Sequence, residues 1–510
     1  MGNSPFTASI HVLDDYSLLH IFYLYRPFLL GEDGDEDHRF FGGEAGWDRG
    51  RWWYEIAHVC QRWRNVILGS ASYLGVSLVC TIGTPVADML AHPPPLPLFI
   101  DYQFGEDDDV TAEDEQEAIL ALKQLNRVRR VRLQMNVTIL QKLVVAMDDE
   151  YPMMEYLIII DPASNKDAGQ SSSLILPGTL QAPRLRHLSL LGLTLPIGCR
   201  LLTTSFNLVT LCLFVLRQSP YFLPNTLLQW LSFMPQLETL LIAFFYPVPN
   251  RDIERQLAHA PIMTTVTLPN LHHFLFVGVK TYLEGLIHRI ATPRLQKLEL
   301  EFFNQLTFSV PRLLQFVNAT ENLMFKSAKF KFFSEEVKVE VYPHEEAEMQ
   351  AISIAVFCLH LDWQVSSMAQ IFNSLSPAFS AVEHLTLEHG VHRRSSEEHN
   401  EADPTEWRKL LRSFRNMKTL RIGEGLVNEF SRCLKLDGGE LLSEFLPELR
   451  ELLSELLPEL RELTYSVSGD TSDVFASFID ARQDAGRPVT LVRRGPSQDR
   501  GSLVPSPEHP

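Results

Sequence analysis

Catalytic signatures are what this sequence most plainly lacks. No G-x-x-x-x-G-K-S/T phosphate loop, no G-x-G-x-x-G after a strand and no H-E-x-x-H are present. A G-x-S-x-G elbow is missing too, so an enzyme reading has no residue set to stand on, and no cofactor is called for. Basic charge is scarce: 45 Lys and Arg stand against 63 Asp and Glu, a net charge of −18. Nucleic-acid binders need a basic footprint, so no nucleic acid is expected as a partner, and the acidic balance favours a basic partner surface. The one dense basic run, RVRRVR at 127–132, alternates Arg with Val and reads as a solvated strand face.

Cysteine is sparse and scattered. Cys60, Cys80, Cys199, Cys212, Cys358 and Cys433 form no C-x-x-C pair, which suits a reduced, intracellular chain, cytoplasmic or nuclear. No basic segment followed by an apolar core opens the sequence, so no secretory signal is expected. Phe6 stands where a myristoylation site needs Ser or Thr. The most apolar region, 201–246, is interrupted by Pro220, Pro224 and Pro235 and carries Thr203, Thr204, Ser205 and Asn207. Buried strands and short helices are expected there rather than a membrane span.

Metal-ligand spacing is also missing. His384, His389, His392 and His399 offer no helical i, i+4 pair, and EHGVHRRSSEEHNEAD reads as a solvated loop. His272 and His273 fall in a strand-like segment and are expected to be structural. Asn136-Val-Thr138 and Asn318-Ala-Thr320 match the glycosylation acceptor, which an intracellular chain leaves unmodified.

What is present is repetition. From about residue 112 to 492 a short helix hands over to an L-x-x-L-x-L-like strand, with Pro or Ser often between them. Examples are APRLRHLSLLGL at 182, MPQLETLLIAF at 234, LPNLHHFLFVGV at 268, TPRLQKLELEFF at 292 and FRNMKTLRIGEG at 414. Successive copies mostly lie about 23–35 residues apart, against roughly 20–29 in leucine-rich repeats. The intervening helices are amphipathic: Leu283, Leu286, Ile287 and Ile290 share one face. Such a unit buries its apolar face only by stacking on neighbours. The pattern weakens between 330 and 378, where AISIAVFCLHLDW (351–363) reads as a degenerate strand. The usual Asn or Cys after the strand is mostly absent, so a generic mixed α/β domain remains an alternative to an irregular leucine-rich-repeat-like α/β solenoid.

The expected organisation is a first region, 1–104, with an acidic glycine-rich insertion at 31–50; a repeat domain, 105–492; and a disordered tail, 493–510. Within the repeats, LLSEFLPELRE (441–451) is followed at once by LLSELLPELRE (452–462). Pro447 suits a helix start and Leu449, Leu452, Leu453, Leu456 and Leu457 share a face, which predicts an added helix over 447–457.

The first region holds WWYEIAHVCQRWRNVI at 52–67, three of the chain's 7 tryptophans in one short stretch. Trp52, Ile56, Val59, Trp63 and Val66 form one helical stripe, and Trp53, Ala57, Cys60 and Ile67 an adjacent one. Glu55, Gln61, Arg62 and Asn65 are left for water, and Gly69 is the expected stop. Spacing alone allows a buried core helix or a partner-binding one. The string Val59-Cys60-x-x-Trp63-Arg64-x-x-Ile67 resembles the second half of the F-box motif. LDDYSLLHIF at 13–22 supplies Leu13, Leu18, Leu19, Ile21 and Phe22 in the register of the first half. Asp14 stands where that motif has proline, and Asp14 or Asp15 can cap the helix. The ensemble resembles a large family of F-box proteins of mushroom-forming fungi, in which irregular leucine-rich-like repeats follow the F-box.

That resemblance implies a small helical F-box followed by the repeat solenoid, and a non-catalytic adaptor role. F-box proteins dock on the small adaptor subunit of a cullin–RING ubiquitin ligase, and the downstream domain holds a protein substrate. By carry-over, Leu13, Leu18, Leu19, Ile21, Phe22, Val59, Cys60, Trp63 and Ile67 build or face the adaptor interface. Two further readings stay open: a repeat-based interaction scaffold with a degenerate F-box, and an enzyme whose active site follows no motif.

Overall fold

The computed structural model describes residues 13–25, 51–91, 94–104, 110–161, 174–196, 198–215, 222–244, 265–303, 305, 307–320, 322–345, 347, 349–389, 402–434, 456–466 and 474–494. Two compact units divide the chain, Met1–Tyr246 and Pro247–Pro510. The 31–50 insertion and most of the 447–457 helix and of the 493–510 tail lie outside the described residues.

The first unit opens with helices α1 (Asp15–Tyr25), α2 (Trp52–Ala57), α3 (Gln61–Gly69) and α4 (Ala71–Leu74). Strands β1 (Leu78–Cys80), β2 (Leu98–Gln103), β3 (Val128–Gln134) and β4 (Tyr156–Ile160) follow, with α5 (Val86–Ala91), α6 (Ala112–Leu122) and α7 (Val137–Ala146) between them. Then come β5 (Leu174–Ile175), β6 (His187–Leu191), β7 (Leu193–Thr194), α8 (Arg200–Thr204), β8 (Thr210–Val215), α9 (Pro224–Leu231) and β9 (Thr239–Phe244). β1, β2, β3, β4, β6, β8 and β9 pair in chain order, all parallel, and β5 pairs with β7 alone. The sheet therefore begins at Leu78, inside the region that sequence groups with the F-box.

The second unit holds β10 (Val266–Thr267), β11 (His273–Gly278), α10 (Lys280–Ile287), β12 (Ile290–Ala291), β13 (Lys297–Phe303) and α11 (Pro311–Ala319). After these come β14 (Ser327–Phe332), β15 (Glu336–Tyr342), β16 (Ile352–Phe357), α12 (Leu361–Phe379), β17 (His384–His389) and α13 (Pro404–Leu411). β18 (Thr419–Ile422), α14 (Val427–Leu434), β19 (Glu462–Ser466), α15 (Ala476–Asp484) and β20 (Thr490–Arg494) complete it. The strand order is β11-β13-β16-β15-β14-β17-β18-β19-β20, with β10 paired only to β12. β15 runs antiparallel to both neighbours, and the remaining pairs are parallel. Both units are thus mixed α/β, dominated by parallel sheet and built of repeated helix–turn–strand units.

One turn recurs before strand after strand. The N–H of Leu185 donates to the carbonyl of Ala182, that of Leu237 to Met234, Leu271 to Leu268, Leu295 to Thr292, Met417 to Phe414 and Leu460 to Leu457, all at 3.0–3.3 Å. Both ends of each turn are buried. Pro183, Pro235, Pro269, Pro293 and Pro458 occupy the second position, where their fixed φ suits a β-turn. Neighbouring turns are also tied sideways: the amide of Asn322 donates to the carbonyl of Pro293 at 3.2 Å, and Arg294 to the Oδ1 of Asn270 at 3.2 Å. Leucines then stack strand by strand: Leu157, Leu188, Leu211 and Leu240 share a register row, each essentially unexposed. Each such side chain contributes about 1.5–3 kcal/mol by leaving water.

Three expectations need correction. The helix over 52–67 is broken: Cys60 is extended (φ −161°, ψ 166°), ending α2 and starting α3. No Gly or Pro causes this. The halves have different anchors: the Trp53 indole donates to the Ser77 carbonyl at 3.0 Å, beside β1, and Trp63 meets Phe22 of α1 edge-on at 5.0 Å. The break turns Val59 out to 60 % exposure, and Gly69 lies inside α3 while Gly75, at φ 64°, takes the left-handed stop after α4.

The weak stretch at 330–378 does hold a strand within 351–363, β16, preceded by an inserted strand, β15, and followed by the 19-residue helix α12. RVRRVR is not a solvated face. A bulge shifts the partners of Leu98 and Phe99 from Val128 to Arg130, which lets Val128 and Val131 both be buried. Arg132 is only 3 % exposed and Arg130 lies 4.7 Å over the Phe99 ring. The 201–246 region does form buried strands and short helices. Asn136, the first residue of a glycosylation-type triplet, caps α7 by accepting the Ile139 N–H at 3.2 Å.

In the second unit, the core of the inserted section is aromatic. Trp407 of α13 is fully buried between Phe332 (5.4 Å) and Phe430 (5.8 Å). Trp407→Ala is expected to cost about 3–5 kcal/mol, seen as a lower urea midpoint; a change below about 1 kcal/mol would contradict this packing.

Candidate functional site

Two surfaces concentrate the candidate residues. The first is the N-terminal helical group. Asp14 does cap α1: its carboxylate accepts the Ser17 N–H at 2.7 Å, a bond that holds the Asp14 carboxyl below its ordinary range. Arg62 of α3 pairs with Asp15 at 2.8 Å and donates to the Leu13 carbonyl at 2.6 Å, so the arginine expected to face water instead ties α3 to the start of α1.

The motif residues separate by burial. Leu18, Phe22 and Ile67 are 0 %, 1 % and 0 % exposed and close the α1–α3 contact. Leu13, Leu19, Cys60 and Trp63 are half-buried. Ile21 and Val59 stay exposed, at 45 % and 60 %. Around them Tyr16, Tyr23, Leu24 and Tyr25 of α1 are exposed as well, although none belongs to the motif as read from sequence. The signal for these was available: YLY continues the apolar character of α1 beyond Phe22.

The second surface is the polar face of the strands in the second unit. Along β13, Lys297, Glu299, Glu301 and Phe303 alternate with buried Leu298, Leu300 and Phe302. Register places Glu299, Ser353, Glu340, Lys329, Thr386 and Arg421 in one row across β13, β16, β15, β14, β17 and β18. Charges on this face pair across strands. Lys331 meets Glu340 at 2.7 Å, Lys329 meets Glu388 at 2.8 Å and Arg421 meets Glu345 at 2.8 Å. His384 shares a 2.8 Å hydrogen bond with Thr419. His273 is structural, lying 2.7 Å from Glu299, while His272 before the strand is exposed. His392 and His399 lie outside the described residues.

Among the described residues, no group of three or more His, Cys, Asp or Glu could hold a metal, and no helix is long and apolar enough to cross a membrane. Burial pushes the Cys80, Cys358 and Cys433 thiols up to about 12, which leaves them protonated and unreactive at neutral pH. A cleft of about 450 Å³ between α12 and α13 is lined by Ser366, Gln370, Asn373, Glu406, Lys409 and Arg412, and its Glu406 and Lys409 already pair at 2.6 Å.

Glu299 gives the strand face a measurable signature. Burial alone would raise its carboxyl, but the His273 hydrogen bond and the Lys297 charge outweigh it and hold the group at about 2. A depressed carboxyl stabilises the fold above its unfolded value, near 4.3, and loses that contribution as pH falls through the folded value. Glu299→Gln is therefore expected to lower the urea midpoint at pH 6, with the difference from wild type shrinking between pH 4 and pH 2. A constant difference across that range would contradict the pairing.

No family model and no curated protein matches this chain. Among solved structures, the leucine-rich repeat-containing protein LegL7 from Legionella pneumophila aligns over 72% of this chain and 94% of its own, with 11% sequence identity and a TM-score of 0.24. A superposition at that level adds nothing to the repeat architecture, which rests on the turns and strand registers described above.

Proposed function

We propose that this chain is a non-catalytic protein-binding adaptor: a substrate receptor whose N-terminal helices dock on the small adaptor subunit of a cullin–RING ubiquitin ligase while the strand face holds a protein substrate. The observation that carries the reading is the sorting of the motif residues. Leu18, Phe22 and Ile67 are used up in packing α1 on α3, yet Ile21 and Val59 remain in water, and Tyr16 and Leu24 of α1 are exposed as well. Exposed apolar side chains grouped on one small helical module are a mark of a protein interface. Asp14 supports the same reading, since it supplies the helix start that the motif's proline region otherwise provides.

The strand face suits a protein rather than a small molecule. Its side chains project from rigid strands in register, and its charges are spread over many strands. Holding a substrate close to a charged ubiquitin-conjugating enzyme needs no chemistry from this chain, only effective concentration.

A second reading is a repeat-based scaffold whose F-box no longer recruits a ligase; the acidic insertion at 31–50, between the two halves of the motif, favours it. Co-purification of the full chain with a cullin–RING adaptor subunit separates the two. Ile21→Asp combined with Val59→Asp is expected to reduce recovered adaptor at least tenfold with an unchanged melting temperature, because both side chains are exposed. No adaptor binding by the wild-type chain, or full binding by the double variant, would overturn the ligase reading in favour of the scaffold.

A further inference from the structure

One part of the strand face departs from the paired-charge pattern. At the C-terminal ends of β13 and β16 the rings of Phe303 and Phe357 stack, with centroids 5.9 Å apart. Phe357 is 36 % exposed although it sits on a sheet strand. Register sets Phe303, Phe357 and Glu336 side by side across β13, β16 and β15. One step back along the same face, Glu301, Ala355 and Lys338 form the adjoining row. Ala355, between Glu301 and Lys338 in that row, is buried. Among the described residues, neither Glu301 nor Glu336 forms an ion pair, whereas Glu299, Glu340 and Glu388 on the same face all do.

The environment of Glu301 is short of positive charge. Burial first, then the charge of Glu336, pushes its carboxyl above the ordinary range, with Lys338 opposing and Glu299 adding to the rise. Lys338 is engaged elsewhere, 3.6 Å from Glu340. Two carboxylates outside any ion pair, beside an open aromatic pair, match the two things a guanidinium or ammonium group seeks: negative charge and a ring face. The net charge of −18 points the same way, since it draws basic surfaces toward the chain.

We propose that the Phe303–Phe357 pair with Glu301 and Glu336 is an anchor site for an Arg or Lys side chain of a basic protein segment. This rests on the reading of the strand face as a protein-binding face and gives that face a substrate class: segments rich in Arg or Lys. An Arg plane lies over Phe357 while its guanidinium donates to Glu336 and Glu301. The ring stacking fixes where the cation sits, and the carboxylates fix its sign. Paired carboxylates elsewhere on the face compete less, because each already has its own cation.

The test is fluorescence anisotropy on the full chain with a labelled 20-residue peptide of Gly and Ser carrying interspersed Arg, and a matched peptide with Glu in place of Arg. The Arg peptide is expected to bind and the Glu peptide not to. Glu301→Gln with Glu336→Gln, and separately Phe357→Ala, should each weaken binding at least fivefold. Glu113→Gln with Glu150→Gln, which removes the same charge from exposed positions in the other unit, should change it less than twofold. Lys338→Gln removes the competing cation and should tighten binding about two- to threefold, a gain that a misfolded variant does not give. Failure of the Arg peptide to bind, equal losses in the two double-Gln variants, or unchanged affinity in Phe357→Ala would each overturn the proposal. Adaptor co-purification reports on the F-box reading separately: Phe357→Ala should leave it intact, and its absence in wild type does not alter the peptide result.

Discussion

The structure depends on one small constraint, the buried turn that precedes strand after strand. An N–H donating to the carbonyl three residues back closes the chain on itself, and both flanking side chains go into the core. The turn satisfies a backbone donor that would otherwise be buried without a partner. It also delivers each new strand at the same height as the one before. Once heights agree, parallel pairing follows, and rows such as Leu157, Leu188, Leu211 and Leu240 form without further instruction. The other face is then free to vary, because nothing in the turn depends on it. That freedom is why paired charges, an aromatic stack and open carboxylates can share one sheet.

The N-terminal helices follow a different logic. There is no repeating turn, and the group is held by a few anchors of unlike kind: the Trp53 indole on the Ser77 carbonyl, Trp63 against Phe22, and Arg62 spanning Asp15 and Leu13. Such a module can present apolar side chains outward because its own core is completed by only a few residues, Leu18, Phe22 and Ile67 among them.

Local chemistry accounts for how much of this was legible in the sequence. Proline before a strand, leucine at the turn's end and alternation along KLELEFF all act over a few residues, so the repeats and the α/β class could be read directly. EVKVEVY (336–342) fell in the stretch where the repeat pattern weakens, and its antiparallel placement between β16 and β14 depends on partners that only pairing defines. The break at Cys60 has no local cause and follows from two tertiary anchors. In the N-terminal helices the motif letters could not divide buried Leu18 from exposed Ile21, since that division is a matter of packing. The Glu299–His273 pair joins adjacent strands and needed their register.

The inserted strand β15 also alters how the second unit can be assembled. Elsewhere each strand of the main sheet docks on the sheet strand that precedes it in the chain, so the sheet can lengthen from either end one unit at a time. β14, β15 and β16 form a meander that lies backwards in the sheet: β16, the last of them to appear, is the strand that reaches β13, and β14, the first, waits for β17. Growth from β13 toward the C-terminus therefore pauses until the chain has been made as far as residue 357, and then gains three strands together. The section from β13 to β17 behaves as a single cooperative step within an otherwise incremental array, a ratchet tooth wider than its neighbours.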